Sequence, residues 1–220
     1  MGQMISFSRP DGAHSQAYLA DAGEGRPGII LIQEWWGLND NMKTIADRLA
    51  AAGFTTLAPD LYRGRLASSA DEASHMMTGL DFADATHQDI RGATAFLSAR
   101  CGKLAVMGFC MGGALTIASA VHVPGLAAAV CFYGIPPREF ADPAHIRVPF
   151  LGHFASLDDW CTPVAVDDLQ QRVATSGQVT TFWRYEAHHA FFNQARPEVY
   201  DAACSQLAWE RTLAFLADHL

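Results

Sequence analysis

Cys110 stands in the segment "GFCMG", Gly108 to Gly112, between the strand-like run "KLAVMGF" and a helix-like run from Met111 to His122. With serine at the third position, such a G-x-S-x-G frame is a nucleophile elbow, which exposes the nucleophile on a sharp strand-to-helix turn. With cysteine, the frame offers a thiolate nucleophile, a redox thiol or a small buried hydrophobe. Gly108 and Gly112 let the chain turn tightly and pack closely. The partial positive charge at the start of a helix favours the thiolate form. The backbone N–H of Met111 would face the oxyanion that forms when a carbonyl is attacked, and a second donor is expected from Trp35, in the loop after "GIILIQ".

A thiol attacks only once deprotonated, which calls for a base, and the base needs a group to hold its tautomer. Other strand-like runs end on suitable residues: Glu34 after "GIILI", Asp158 and Asp159 after "FLGHFASL", and His188 and His189 after "FWRYEA". The order nucleophile, acid, histidine is the chain order of α/β-hydrolases. The competing readings are an inert buried thiol at Cys110 and a surface pair at His188-His189. Metal binding by that pair is not expected, because adjacent side chains diverge and no third ligand stands at metal spacing.

Strands and helices alternate along the chain. "MISFSR" and "SQAYLA" flank a Pro-Asp-Gly turn and predict an N-terminal hairpin. "GIILIQ" has the continuous apolar character of a strand buried on both faces. Asn39 is a candidate N-cap for a helix carrying Met42, Ile45, Ala46 and Leu49 on one face, with Gly53 at its end. "FTTLAPDLY" predicts a strand, and residues 70–100 a mostly helical stretch broken near Gly79. "AAAVCFYG", "VPFLGHFA" and "VTTFWRYEA" predict three more strands. Thr162-Pro163 starts one helix, and a closing amphipathic helix is expected from Arg196 to Leu220. This alternation predicts one α/β domain over residues 1–220, with a mostly parallel central sheet and helices on both faces. Its working site should lie at the carboxyl ends of the strands.

Composition narrows the class further. Half of the 220 residues are hydrophobic, enough for a sizeable core, and the net charge is −8 with no basic run, which argues against a nucleic-acid surface. No apolar run approaches the ~18 residues of a spanning helix. Five cysteines without C-x-x-C spacing, and an N-terminus lacking signal-peptide character, suggest free thiols in a reducing cytoplasm. No cofactor is implied. The expected partner is a small molecule, the assembly a monomer or small homo-oligomer. Trp35, Trp36, Tyr62, Trp160 and Phe192 near strand ends suit either an apolar pocket wall or ordinary core. His153 suits a satisfied core histidine, and Cys161, beside the acid, is the one further thiol with redox potential.

Taken together, "QEWWG", "APDLY", "GFCMGG", "YEAHHAFFN" and "AWERTLAFL" resemble segments of the dienelactone hydrolase family, α/β-hydrolases, across nearly the whole chain. The resemblance implies an α/β-hydrolase fold, Cys110 as nucleophile, His189 as base and Glu34 as a carboxylate beside the resting thiol. Three departures stand out. His188 replaces a glycine before the histidine. The acid segment "HFASLDDWCTP" offers two aspartates; counting from Pro149 and His153 favours Asp158, counting back from Pro163 favours Asp159, and Asp158 is chosen because an extra residue is more easily absorbed in the loop after it. Asn193 stands where dienelactone enzymes carry an arginine for the substrate carboxylate; Arg63 or Arg65 is a candidate to take over that role. The reading is a cysteine hydrolase of activated esters or lactones acting through a thioester acyl-enzyme. The alternatives are a binding module without catalysis, or a redox sensor using Cys110 and Cys161.

Overall fold

The structure is a computed structural model that describes residues 2–220. β1 (Gln3–Ser8) and β2 (His14–Ala20) form the expected antiparallel hairpin. β2 runs antiparallel to β4 (Thr55–Pro59), and every later pairing is parallel. With β3 (Gly28–Ile32), β5 (Leu104–Phe109), β6 (Ala128–Phe132), β7 (Phe150–Leu157) and β8 (Thr180–His188), the order across the sheet is β1-β2-β4-β3-β5-β6-β7-β8. β3, β4, β5 and β6 are buried at every position, the reason β3, β5 and β6 are continuous apolar runs rather than alternating ones.

Helices cover both faces. α1 (Asp40–Ala51) begins where the Asn39 side chain accepts from the Met42 N–H, and it buries Met42, Ile45 and Leu49. α1 and the closing helix share one apolar layer, which holds Ile45, Leu49, Trp209 and Phe215. The opposite face is covered by α2 (Ala70–Thr78), α3 (Phe82–Asp84), α4 (Arg91–Ser98), α5 (Met111–His122) and α6 (Pro163–Ala174), which contribute Met76, Leu97, Leu115 and Leu169. Between α3 and α4, residues Ala85–Ile90 form a π-helical turn. It carries the buried Asp89, paired with Arg63 at 2.8 Å and Arg9 at 3.5 Å.

α7 spans Ala202–His219, starting six residues later than the pattern suggested, with Asp201 as its N-cap. The reason is local. Pro197 disfavours helical backbone at Arg196, and residues 193–201 instead close successive turns, with the Arg196 N–H on the Asn193 carbonyl and the Val199 N–H on that of Arg196.

The chain leaves β3 to one side for β4 and returns on the other side for β5, so a crevice opens at their carboxyl ends, where open α/β sheets bind ligands. No helix is long and apolar enough to cross a membrane among the described residues.

Candidate active site

Register brings the site together. Ile32 pairs with Gly108, so two residues further on Glu34 and Cys110 come to the same end of the sheet. Phe109 pairs with Phe132, and Leu157 with His188 after a bulge at Ala155–Leu157. The next residues, Asp158 and His189, therefore leave adjacent strands side by side.

Cys110 has φ 54° and ψ −117°, a conformation rarely adopted by residues with a side chain. It is held by its N–H on the Phe132 carbonyl and its carbonyl under the Ala114 N–H. A Cβ on Gly108 would overlap the Gly112 carbonyl, and one on Gly112 would overlap the end of β3. Only glycine lets strand, elbow and helix approach this closely. Tyr133 (φ 38°) and Ala190 (φ 63°) are also left-handed, so the ends of β5, β6 and β8 all carry unusual backbone beside one cavity. Each such residue costs on the order of 1–3 kcal/mol, which the surrounding core must offset.

His189 joins the two other groups. Its Nε2 lies 3.3 Å from the Cys110 Sγ, and its Nδ1 lies 2.7 Å from the Asp158 Oδ2. The other Asp158 oxygen accepts from the N–H groups of Trp160 (2.7 Å) and Cys161 (2.9 Å). Asp159 is one residue too far along to reach the imidazole; it is exposed and lines the cavity. Burial of His189 alone would depress its pKa, but hydrogen bonds to Asp158 and Cys110 outweigh it and lift the imidazole to about 10. Asp158 shows the converse balance: burial pushes it up, and the bonds from His189, Cys161 and Trp160 hold it below the usual range.

Met111 is the first residue of α5, so its N–H has no partner within the helix. The Trp35 N–H meets no acceptor among the described residues. Both donors stand free at the cavity end of the sheet.

Glu34 lines the cavity with Cys110, but its oxygens are engaged elsewhere. The Tyr133 hydroxyl donates to Oε1 (3.2 Å) and the Asn193 amide to Oε2 (2.5 Å). The direct Glu34–thiol contact that the family resemblance implies is absent among the described residues, where the sulfur's partner is His189. Burial pushes the Glu34 pKa up, against the lowering effects of His189, Tyr133 and Asn193. Tyr133 was not singled out in the sequence; its position directly after a buried strand is the only signal that could have found it.

The sequence showed no third ligand at metal spacing, but in space Asp158, Cys161 and His189 bring potential ligand atoms within 4.8 Å of one another. Those of Asp158 and His189 already serve the hydrogen bonds described above. Burial, with Asp158 nearby, pushes the Cys161 pKa up and keeps it a neutral thiol, which makes it a poor ligand. All five cysteines are free.

The crevice holds a cavity of about 360 Å³, within the range of small-molecule sites. Residues 16–220 match the model of the Dienelactone hydrolase family. The chain belongs to this family. Protein usf of Aquifex pyrophilus is 36% identical over the full length of both chains. A protein of Aquifex aeolicus named "Putative carboxymethylenebutenolidase" is 32% identical, again over the full length of both. A metagenomic dienelactone hydrolase-like promiscuous phosphotriesterase has the same fold, with a TM-score of 0.81 at 24% identity over 99% of this chain and 98% of that one.

As a dienelactone hydrolase family member, the chain is a carboxylic ester or lactone hydrolase of α/β-hydrolase fold. Its cavity departs from the resemblance at the cationic position. Asn193 is buried and its amide is committed to Glu34. Arg63 is bound to Asp89 and to the Asp60 carbonyl, and neither it nor Arg65 lines the cavity. Arg196 does, from the turns that precede α7. Reading this stretch as helix hid it.

Proposed function

We propose that the chain hydrolyses activated carboxylic esters or lactones through a thioester on Cys110. The observation that carries the reading is the continuous relay from Cys110 through His189 to Asp158, built on the ends of β5, β8 and β7. The substrate is a small molecule, in keeping with the cavity.

In the proposed cycle His189 Nε2 takes the thiol proton, and Cys110 Sγ bonds to the substrate carbonyl carbon. The Trp35 and Met111 N–H groups donate to the resulting oxyanion. Collapse breaks the carbon–oxygen bond, and the leaving alcohol or enolate receives the proton from His189. A water molecule then gives a proton to His189 and attacks the thioester, the carbon–sulfur bond breaks, the departing sulfur takes that proton back from His189, and the carboxylic acid product leaves. Asp158 holds the Nδ1 proton throughout, fixing the tautomer. A thiolate is expelled more readily than an alkoxide, so the first tetrahedral intermediate partitions forward only when the leaving group is good. This favours enol lactones and other activated esters.

The cycle needs no cofactor or metal. The redox alternative requires Cys161 to attack an oxidised Cys110, and the burial that keeps Cys161 neutral weighs against it. The test is limited alkylation with iodoacetamide followed by peptide mapping. Cys110 should be labelled first, and esterase activity should fall in step with that label. Full activity with Cys110 fully alkylated would rule the mechanism out.

A further inference from the structure

The cavity wall carries information about the substrate beyond its reactive carbonyl. Three indoles line it in sequence. Trp36 meets Trp35 edge-on at 5.4 Å, Trp35 meets Trp160 edge-on at 5.4 Å, and Trp160 lies nearly parallel to the His189 ring at 6.0 Å. Trp160 is 61% exposed and Leu157, at the same rim, is 50% exposed. Large apolar side chains left open at the mouth of a polar reaction centre are surface that a bound ligand would cover. Edge-on and parallel ring faces suit a flat aromatic group.

The charges on the same wall point one way. Arg196 is its only arginine or lysine among the described residues. Its Nε donates to Glu198 at 2.8 Å, and its guanidinium lies over the Trp36 ring at 5.5 Å. Asp159 and Glu198 lie on the exposed side of the cavity and Glu34 at its floor. Arg196 and Glu198 offset each other, so even with Glu34 taken as neutral Asp159 remains as an uncompensated exposed carboxylate. A substrate carboxylate entering here meets repulsion, and the two cationic groups on the wall, Arg196 and His189, are already paired with Glu198 and Asp158.

We infer that this cavity takes uncharged aryl esters, with the aryl leaving group stacked among Trp35, Trp36 and Trp160, and discriminates against esters that carry a carboxylate. The inference rests on the hydrolase reading above and names its substrate class. The chemistry balances: the Cys110 Sγ–carbon bond forms, the carbon–oxygen bond to the aryl group breaks, and the phenolate takes the proton held by His189. Water then cleaves the thioester and returns the thiol. Phenolates are good leaving groups, as a thiol nucleophile requires.

The test compares kcat/KM for methyl 4-acetoxybenzoate, its free-acid counterpart 4-acetoxybenzoate, and vinyl acetate as a non-aromatic activated ester. The wild type should prefer the methyl ester over the acid by about tenfold, the scale of one uncompensated charge near a protein surface. Glu198→Gln combined with Asp159→Asn should narrow that gap, mainly by lowering KM for the acid. Trp160→Ala should raise KM for the aryl esters more than for vinyl acetate, and Trp160→Phe should restore it. A wild type that treats the acid as well as or better than its methyl ester overturns the charge argument. An equal effect of Trp160→Ala on aryl and vinyl esters overturns the stacking argument. Failure to hydrolyse any of the three would instead count against the hydrolase reading itself.

Discussion

His153 and His189 lie on neighbouring parts of the sheet, and they have opposite chemistry. His153 is fully buried on β7, with Nδ1 2.8 Å from the Tyr185 hydroxyl and Nε2 3.0 Å from the Thr212 hydroxyl. Burial, with a smaller contribution from Arg211, drives its pKa down to about 3. His189, just past the end of β8, experiences burial too, but its partners are a carboxylate and a thiol, and it rises to about 10. Burial sets the direction only when the partners are neutral. A charged partner within hydrogen-bond reach reverses it and turns a packing residue into a base.

The sharpest way to break this contrast is to remove the charge behind His189. Asp158→Asn keeps the shape and deletes the carboxylate, and should lower kcat by up to ~10⁴-fold. Asp159→Asn should cost far less, because Asp159 does not touch the imidazole. Steady-state kinetics on one activated ester checks both. Comparable losses in the two variants would contradict the assigned relay.

The second intervention is on the neutral partner. His153→Leu leaves the Tyr185 and Thr212 hydroxyls facing an apolar side chain, and should destabilise the fold by ~1–3 kcal/mol in urea unfolding. The pH dependence of kcat/KM in the surviving folded protein should not move. The linkage also has a definite sign. His153 has a depressed folded pKa, so its contribution is complete above the unfolded value of ~6.5 and is lost as pH falls from there toward 3. The stability difference between wild type and His153→Leu should therefore shrink on acidification across that window. His189, with its raised pKa, behaves oppositely: its contribution is complete below ~6.5 and is lost as pH rises through about 10.

The smallest expected effect concerns Glu34. Tyr133 and Asn193 clamp its carboxylate, so it acts on the sulfur only through space. Glu34→Gln should hasten inactivation of the resting enzyme by peroxide, by no more than about tenfold. A larger acceleration would mean that Glu34 reaches the thiol in solution. No change would make it a purely structural carboxylate.

These residues were not equally legible in the sequence. Cys110, Asp158 and His189 follow strands directly, and a parallel sheet aligns such ends whatever the intervening helices do. The same regularity made the alternating elements and the Asn39 cap readable. His153 was readable as core because it sits inside an apolar run. The segment from Asn193 to Asp201 was not, because its spacing mimics one more turn of helix; Pro197 was the warning. Arg196 is hidden by that reading, which leaves Arg63 and Arg65 as the candidate cations. The destination of Glu34 depends on Tyr133, some 100 residues away, and no local pattern encodes that contact. The π-helical turn at Ala85–Ile90 sits inside an otherwise ordinary helical stretch and leaves no distinct periodicity.

The central claim is a covalent acyl group on Cys110, and it is tested most directly by trapping one. Enzyme mixed with 4-nitrophenyl trimethylacetate, whose hindered acyl group should deacylate slowly, is quenched in acid and mapped by mass spectrometry. The account predicts one trimethylacetyl group per chain, confined to the peptide containing Cys110, released by neutral hydroxylamine, and missing in Cys110→Ala. An acyl group on any other residue, or turnover of the ester by Cys110→Ala at the wild-type rate, would contradict it.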